Sequence, residues 1–261
     1  MDWHSRFLQQ AAWTSDLRAY LFERTGLRCA RRVLEIGCGT GAILSDLDTP
    51  ASVHGLDLDL VRLEEACRIA PSAVLTCGDA LALPYKSGIF DITFCHFLLL
   101  WVHQPLFALT EMKRVTHSGG AVLALAEPDY TSRVDKPAPL APIGRLQTES
   151  LKRQGADPGL GKHLAELFRL AGITLIETGP LRVSPDSSML RRSREDHPSP
   201  AERDGVAPVP AQDQEWAVLE ADLADMVPAD EIHSMKLVDE QARLRGERVH
   251  HVPTYFAWGV V

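Results

Sequence analysis

Short apolar runs alternate with helical segments along the first half of this chain, and this alternation restricts the fold more than any other feature. The runs at residues 33–36, 53–58, 73–77, 90–97 and 121–127 are almost continuously apolar, which is typical of strands buried on both faces. Helical segments between such strands predict a parallel sheet covered by helices on both sides. With further strand-like runs at 173–183 and 252–261, the sequence predicts a doubly wound α/β fold with a seven-stranded, mostly parallel sheet.

Helical periodicity and turn residues divide the rest of the chain. Residues 4–25 predict an amphipathic helix or helix pair that ends at Gly26. A proline-rich loop followed by a short helix is expected within 131–155, and a long mobile connection within 185–213. Further helices are expected from about Gly41, through 63–69, and at 105–117, 162–171, 214–226 and 229–246.

The composition restricts the partners of the chain. Its 35 acidic and 27 basic residues give a net charge of −8, which disfavours broad binding to nucleic acid or to anionic membranes. The five cysteines form no CxxC pair, so neither a zinc site nor a disulfide framework is expected. The N-terminus lacks a signal-peptide pattern, and the apolar run at 97–102 is too short to cross a bilayer. We therefore expect a soluble, cytoplasmic protein without a metal site.

A glycine loop follows the first predicted strand, at Gly37-Cys38-Gly39-Thr40-Gly41. Glycine lets the backbone approach a ligand where any Cβ would collide. With Ala42 the loop also satisfies the GxGxxA fingerprint of dinucleotide-binding proteins, in which Asp57 would bind the ribose. Glu35 argues against that alternative, because a carboxylate beside the loop would repel a pyrophosphate and attract a cation. The loop therefore favours a positively charged nucleoside without phosphate, and a tight turn without ligand is the remaining alternative.

Five spaced motifs resemble those of class I S-adenosylmethionine-dependent methyltransferases, across residues 30–127. They are Glu35-Ile36-Gly37-Cys38-Gly39-Thr40-Gly41, Val53-His54-Gly55-Leu56-Asp57, Gly78-Asp79-Ala80 with Leu83-Pro84, Gly88-Ile89-Phe90-Asp91, and Glu111-Met112-Lys113-Arg114-Val115 before Gly119-Gly120. The pattern is closest to the ubiquinone-biosynthesis-like branch, whose members act on diverse acceptors. Ser118 departs from that branch, which usually has proline there, but the two glycines that follow still allow the turn.

The resemblance implies S-adenosylmethionine as the cofactor and a role for each matching residue. The three loop glycines would line its methionine part. Asp57 would accept hydrogen bonds from both ribose hydroxyls, Leu58 would pack on the adenine, and Asp79 would accept a hydrogen bond from the adenine amino group. Capping of a helix N-terminus is the structural alternative for either aspartate. The complete predicted cofactor-binding set is Glu35, Gly37, Cys38, Gly39, Gly41, Asp57, Leu58, Gly78, Asp79, Ala80 and His96.

The predicted activity is methyl transfer by in-line displacement to a small-molecule acceptor, at oxygen or nitrogen. A neutral hydroxyl acceptor would need a base, and histidine is suited to that role. His96, at the end of the fourth predicted strand, is the candidate catalytic residue, with a space-filling role as its alternative, and His103 follows shortly after. An NAD-dependent oxidoreductase and a non-catalytic protein that binds S-adenosylmethionine are the competing hypotheses.

These assignments predict four regions. Residues 1–28 would form a helical lid, 29–184 the Rossmann-like core that binds the cofactor, 185–250 a mobile loop and inserted helices that form the acceptor pocket or a second lid, and 251–261 the final strand. Some aromatic, Arg and Met side chains on the added helices are candidates for the lid and the pocket walls, although their helical spacing also fits ordinary core positions. These candidates are Trp13, Arg18, Tyr20, Trp216 and Met235.

Overall fold

A computed structural model of the chain describes residues 3–181 and 211–261. Nine strands lie within these residues. They are β1 (Arg32–Ile36), β2 (Ser52–Asp57), β3 (Val74–Cys77), β4 (Phe90–Cys95), β5 (Thr116–Pro128), β6 (Val134–Lys136), β7 (Thr174–Pro180), β8 (Val249–His251) and β9 (Thr254–Val260).

Seven of these strands form one sheet in the order β3-β2-β1-β4-β5-β9-β7. β1 pairs in parallel with both β2 and β4, whereas β9 runs antiparallel to β5 and β7. The predicted seven-stranded, mostly parallel sheet is therefore confirmed. The strand order reverses between β1 and β4, and in such sheets the ligand crevice lies beyond the carboxyl ends of the strands at this switch point.

Eight α-helices flank the sheet within the described residues. They are α1 (Trp3–Trp13), α2 (Ser15–Arg24), α3 (Leu60–Ile69), α4 (Pro105–Val115), α5 (Ala141–Arg153), α6 (Leu164–Leu170), α7 (Ala211–Leu223) and α8 (Ala229–Leu244). The expected N-terminal segment is a helix pair, and Gly26 follows it with a positive φ of 73° that ends the helical path. None of the helices in the described ranges has both the length and the apolar character needed to span a bilayer.

The helix expected from about Gly41 is absent, and that prediction was wrong. Only a single 3₁₀ turn, Leu44–Asp46, lies between the glycine loop and β2. β2 already begins at Ser52, and Pro50 disfavours helical geometry at the residue before it, so the segment has no room for several helical turns. The prediction relied on the usual strand, loop and helix order and overlooked the shortness of this connection.

The N-terminal helices cover the sheet face beside this shortened segment. Leu21 and Phe22 of α2 are buried in one cluster with Ile43 and with Phe94 of β4. The Phe22 and Phe94 rings meet edge to face with centroids 5.3 Å apart. The opposite face is covered by α4 and α6, whose Met112 and Phe168 are completely buried. Helices thus cover both faces, as the α/β prediction requires.

The second half of the chain departs from the prediction in several boundaries. Within 131–155 the structure has β6 and the 13-residue helix α5. The strand expected at 252–261 begins at Thr254, because 249–251 form β8 and pair with β6 instead. The mobile connection expected at 185–213 lies outside the described residues up to 210, and 211–213 belong to α7.

Candidate functional site

A cavity of about 850 Å³ opens at the carboxyl ends of β1, β2 and β4. Ten of the eleven predicted cofactor-binding residues line it, which are Glu35, Gly37, Cys38, Gly39, Asp57, Leu58, Gly78, Asp79, Ala80 and His96. Gly41 is the exception. Its backbone lies against α3, where a Cβ would stand 3.3 Å from the Cβ of Ala66. Gly41 therefore allows the loop to pack closely against α3 and does not line the cavity.

The glycine loop forms a cradle that side chains at its turns would fill. Gly37 and Gly39 have positive φ values of 73° and 52°. A Cβ at Gly37 would lie 2.7 Å from Leu98 Cδ1, and a Cβ at Gly39 would lie 2.8 Å from Phe7 Cε2. Both positions thus need glycine for conformation and for space. The backbone N–H groups of Gly37 and Cys38 donate to the carbonyl of Leu56, which fixes the cradle to β2.

The Asp57 carboxylate is held in place by two backbone groups. Its Oδ2 accepts the N–H of Gly39 at 2.7 Å, and its Oδ1 accepts the N–H of Asp59 at 2.9 Å. A carboxylate has about four lone-pair sites, so both oxygens keep acceptor capacity on the cavity side. The N-cap of α3 is Asp59, whose side chain accepts from Val61 and Arg62. The capping alternative considered for Asp57 therefore does not apply.

Asp79 and Leu58 lie at the exposed rim of the cavity. Asp79 Oδ1 accepts the backbone N–H of Leu81 at 2.9 Å, and a short turn rather than an α-helix follows it. Leu58 is 72% exposed although it is apolar. An apolar side chain that is exposed beside a carboxylate is suited to contact a flat ring that also carries a polar group.

Glu35 is the least satisfied polar group around the cavity. The residue is buried, and its Oε2 has no hydrogen-bond partner among the described residues. Burial raises its pKa well above the usual range, the charge of Asp57 adds to that rise, and the Arg18 guanidinium opposes it. A buried carboxyl that lacks a partner is costly unless a cation or donor arrives. Glu35 is therefore a position for a positively charged ligand group.

His96 lines the cavity but is held by the N-terminal helices. Its Nε2 lies 3.0 Å from Thr14 Oγ1, at the break between α1 and α2. Burial, reinforced by the positive charge of Arg18, lowers its pKa to about 3. The ring is therefore neutral near pH 7, with one of its nitrogens already in a hydrogen bond. This geometry suits a positioning role better than the expected role as a base.

The residue after His96 has unusual backbone geometry. Phe97 has a positive φ of 51°, the only such value at a non-glycine residue within the described chain. Strained conformations of this kind persist where the surroundings enforce them, often at ligand sites. Phe97 also lines the cavity, and its N–H donates to the carbonyl of Ala126. No sequence signal indicated this conformation.

Glu127 holds the loop that follows Phe97. The side chain is completely buried and accepts the backbone N–H groups of Leu98, Leu99 and Leu100 at 2.9–3.1 Å. Burial raises its pKa to about 7, against the opposing effect of these three donors. Leu98 and Leu100 line the cavity. Glu127 therefore positions two wall residues, although it does not itself line the cavity. The sequence carries a signal for this residue, because Glu127 is an acidic side chain at the end of the fifth predicted strand.

The remaining walls come from helices, at positions other than those predicted. Helix α1 contributes Trp3, Arg6, Phe7 and Gln10, α5 and the residue after it contribute Gln147, Leu151 and Gln154, and α7 contributes Val218 and Asp222. The loops add Trp101, Val102, His103 and Tyr130. The predicted Trp13, Arg18, Tyr20, Trp216 and Met235 do not line the cavity. Trp216 and Met235 are instead buried core residues of α7 and α8. Arg18 is buried beneath the cavity, where it pairs with Asp46 at 2.9 Å.

Comparison with known proteins agrees with the sequence motifs around the cavity. A family profile described as a methyltransferase domain matches residues 34–124. A demethylmenaquinone methyltransferase from Renibacterium salmoninarum is 31% identical over 165 residues, which cover 60% of this chain and 66% of that enzyme. The chain belongs to the class I S-adenosylmethionine-dependent methyltransferases. This confirms the family that the five motifs predicted.

Two further likenesses accompany this family assignment. An uncharacterized 37.1 kDa transposon protein from Streptomyces fradiae is 30% identical over 188 residues, which cover 67% of this chain and 53% of that protein. The chain thus spans about half to two thirds of the length of these two curated relatives. A geranyl diphosphate C-methyltransferase from Streptomyces coelicolor A3(2), solved with S-adenosyl-L-homocysteine, has a TM-score of 0.56 at 11% identity, covering 94% of this chain and 77% of that one.

The residues around the cavity fit S-adenosylmethionine, the cofactor of this methyltransferase family. The cofactor carries an ammonium and a sulfonium, and the unpartnered oxygen of Glu35 suits a positive group. The glycine cradle leaves space that side chains would fill. A dinucleotide fits poorly, since its pyrophosphate would need the N-terminus of a helix after the loop and none is present there.

Proposed function

We propose that this chain transfers a methyl group from S-adenosylmethionine to a small-molecule acceptor, at oxygen or nitrogen. The observation that carries the proposal is the unpartnered Oε2 of buried Glu35 beside the glycine cradle. A buried carboxyl without a partner is stabilised by a positively charged ligand group and destabilised by a phosphate. The net charge of −8 supports a small molecule rather than a nucleic acid as the acceptor.

In this proposal each part of the cofactor is bound by a different residue of the cavity. Glu35 would hold the ammonium, Asp57 would accept the ribose hydroxyls, and Asp79 would accept the adenine amino group, with Leu58 against the ring. Gly37 and Gly39 would allow the methionine part to approach the backbone. When bound, S-adenosylmethionine supplies an electrophilic methyl group on its sulfonium. Because Asp57 is already oriented by two backbone donors, it loses little conformational freedom when it binds a diol.

Helix α1 acts as a lid in this proposal. His4 Nδ1 lies 2.8 Å from Thr40 Oγ1, and the Phe7 ring lies over Gly39. The Arg62 guanidinium of α3 lies 5.4 Å from the Trp3 ring centroid and 5.5 Å from that of Phe7. These contacts close the cavity against the glycine loop. Exclusion of water and fixed orientation of the acceptor are contributions that the fold can make without a dedicated base.

Calorimetry tests the cofactor half of the proposal. The protein is titrated with S-adenosyl-L-homocysteine and, separately, with NADH. We expect binding of the first with a clear heat and none of the second, and we expect Glu35→Gln to weaken the first because the amide carries no charge. Binding of NADH instead would support the competing oxidoreductase hypothesis and would refute the proposal.

Incubation with methyl-labelled S-adenosylmethionine tests the transfer itself. Pools of amines, phenols and other small hydroxyl compounds are offered as acceptors, and labelled products are sought by mass spectrometry. The methyltransferase hypothesis predicts at least one labelled product that disappears in the Asp57→Ala variant. Firm binding of the cofactor without labelled product from any pool would favour the non-catalytic alternative, since a fold alone does not determine a reaction.

A further inference from the structure

The cavity walls carry an excess of negative charge. Among its lining residues are five carboxylates, which are Glu35, Asp57, Asp59, Asp79 and Asp222, and two guanidinium groups, which are Arg6 and Arg62. Four of the carboxylates lie at or just after the carboxyl ends of β1, β2 and β3 and surround the proposed cofactor site. Asp222 alone lies on α7, which together with α5 forms the opposite wall. It is therefore the carboxylate in the part of the cavity that is left for the acceptor.

Asp222 is held in a fixed position by α5. Ser150 Oγ donates to the backbone carbonyl of Asp222 at 2.6 Å, and Gln154 Nε2 donates to Asp222 Oδ1 at 3.1 Å. The second carboxylate oxygen, Oδ2, accepts no hydrogen bond from any described residue, and no Lys, Arg or His of the described chain pairs with Asp222. A charge that is oriented by its neighbours but not neutralised is available to a ligand.

The guanidinium groups that share the cavity are already engaged. Arg62 pairs with Asp59 at 3.2 Å and lies over the rings of Trp3 and Phe7. Arg6 lies 5.3 Å from the Trp13 ring centroid and donates to Gln9 Oε1 at 2.9 Å. Neither group forms an ion pair with Asp222. Arg62 is thus neutralised by Asp59, and Arg6 is held against neutral groups, which leaves the Asp222 carboxylate available to a cationic ligand.

Aromatic side chains surround the same space. Tyr130, Phe97 and Trp101 line the cavity from the loops that follow β4 and β5. Burial raises the pKa of the Tyr130 phenol, the guanidinium groups of Arg6 and Arg133 lower it, and the charges of Asp222 and Glu215 raise it further. The carboxylate and the aromatic ring thus line the same cavity. A carboxylate beside aromatic faces is a combination that recognises organic cations.

We propose that the acceptor is a small amine, bound as a cation by Asp222 and the aromatic side chains of Tyr130 and Phe97. This inference rests on the proposed function and narrows its acceptor from oxygen or nitrogen compounds to amine-bearing ones. It also predicts discrimination, since phosphorylated or carboxylated acceptors of the same size are repelled by the same oxygen. Specificity then resides in a single side chain of α7 rather than in the shape of the apolar walls alone.

The test measures binding to the protein saturated with S-adenosyl-L-homocysteine. The probes are matched sets of small aromatic compounds that differ only in one group, such as 2-phenylethylamine, 2-phenylethanol and 3-phenylpropanoate, and ligand-observed NMR measures their affinities. We expect the amines to bind at least about tenfold more tightly than the alcohols, as a charge-assisted hydrogen bond implies, and the carboxylates most weakly. Equal or tighter binding of the neutral or anionic members, or no binding of any amine, overturns the inference.

Two variants assign the effect to Asp222. Asp222→Asn keeps the shape and an oxygen that accepts from Gln154, and it should remove the preference for amines. Asp225→Asn removes the same charge at an exposed position three residues further on, outside the cavity, and should leave the preference unchanged. Retained amine preference in Asp222→Asn refutes the assignment. Affinity for S-adenosyl-L-homocysteine is measured in each protein, so a failure of the cofactor proposal is seen separately from a failure of the acceptor proposal.

Discussion

Thr14 Oγ1 lies 3.0 Å from His96 Nε2, which ties the break between α1 and α2 to the end of β4. Arg18 Nη1 donates to the same Thr14 oxygen at 2.9 Å and places a positive charge near the imidazole. Burial and this charge hold the pKa of His96 at about 3. The N-terminal helices therefore do more than cover the cavity, because they also keep its central histidine neutral.

The first prediction concerns the protonation of His96. A pKa below the ordinary value of 6.5 means that the folded protein binds fewer protons than the unfolded chain between pH 6.5 and about pH 3. This contribution to stability is present above pH 6.5 and is lost as the pH falls through that interval. Unfolding titrations of His96→Gln should lack this dependence, whereas the replacement of exposed His233 by Gln should retain it.

The same variant separates a positioning histidine from a base. If His96 only orients neighbours, we expect His96→Gln to lose less than about tenfold in transfer rate, well short of the 10²–10⁴-fold that removal of a general base costs. A loss in the larger range, with unchanged binding of S-adenosyl-L-homocysteine, would show that His96 takes a proton during the reaction. NMR of the ring nitrogens provides a direct check that the ring stays neutral at pH 5.

The second prediction concerns the ribose contact. Asp57→Asn keeps the size of the side chain but removes its charge, and we expect affinity for S-adenosyl-L-homocysteine to fall by about 1.5–3 kcal/mol. Asp48→Asn is the matched control, since Asp48 is exposed and pairs with exposed Arg28. Calorimetry measures both. Unchanged affinity in Asp57→Asn would place the ribose elsewhere in the cavity.

The third prediction uses two glycines with similar backbone geometry. Gly39 and Gly119 have φ values of 52° and 83°, but a Cβ at Gly39 would meet Phe7 whereas one at Gly119 would meet nothing within 4 Å. Alanine at either position should cost about 1–2 kcal/mol of stability through left-handed strain. Only Gly39→Ala should also displace α1 and weaken binding of S-adenosyl-L-homocysteine. Equal affinity of the two variants would show that the contact between α1 and the loop does not matter for the cofactor.

The strands and the sheet side of the cavity could be predicted because both depend on local sequence. Apolar runs define the strands, and the cavity-lining Asp57 and Asp79 follow from their positions at the end of β2 and just after β3. The glycine loop was located correctly, but the helix after it was not, because the distance to β2 overrides local propensity. Gly41 matched the motif and yet lies outside the cavity lining, which a motif alone does not reveal.

The acceptor side could not be predicted from the sequence because it depends on contacts between distant segments. Periodicity gives the buried face of the N-terminal helices, but it does not show that a break at Thr14 brings Phe7 rather than Trp13 over the glycine loop. Asp222 is oriented by Gln154, a residue 68 positions earlier in the chain. Tertiary packing decides such contacts, and one sequence carries no direct record of it.

The fourth prediction concerns Glu127 and the pH dependence of stability. Its pKa of about 7 exceeds the ordinary value of 4.5, so the folded protein binds more protons than the unfolded chain between these values. This contribution to stability is full below pH 4.5 and is lost as the pH rises through 7, with a total of roughly 3 kcal/mol. Denaturant titrations should show this slope in the wild type.

Glu127→Gln should remove that slope and lower stability most below pH 4.5, where the wild type has its full contribution. The amide keeps one acceptor oxygen but turns an N–H towards the backbone donors of the 98–100 loop, which costs about 1–3 kcal/mol. Glu166→Gln, at an exposed position of α6, is the control and should leave the slope unchanged. A slope that survives in Glu127→Gln would mean that other groups titrate in this interval.

The fifth prediction concerns a buried ion network that joins the inserted helices to the β6–β8 pair. Asp239 of α8 is fully buried and accepts from Trp216 Nε1 at 3.0 Å and from Arg243 Nε at 2.8 Å. It also accepts from Arg248 Nε. Arg248 Nη2 in turn pairs with Asp135 Oδ1 at 2.8 Å. Asp239→Ala leaves two guanidinium groups without their main partner, so we expect a loss of about 3–5 kcal/mol in unfolding free energy.

The network also supports the acceptor wall, because Arg133 pairs with Asp135 at 2.7 Å and donates to the cavity-lining Gln147. Asp239→Ala should therefore weaken amine binding more than binding of S-adenosyl-L-homocysteine, whose proposed ligands lie on the sheet side. Glu247→Ala, which removes an exposed pair with Arg245, should cost at most about 1 kcal/mol and change neither affinity. Equal losses of both affinities in Asp239→Ala would mean that the inserted helices and the core unfold as one unit.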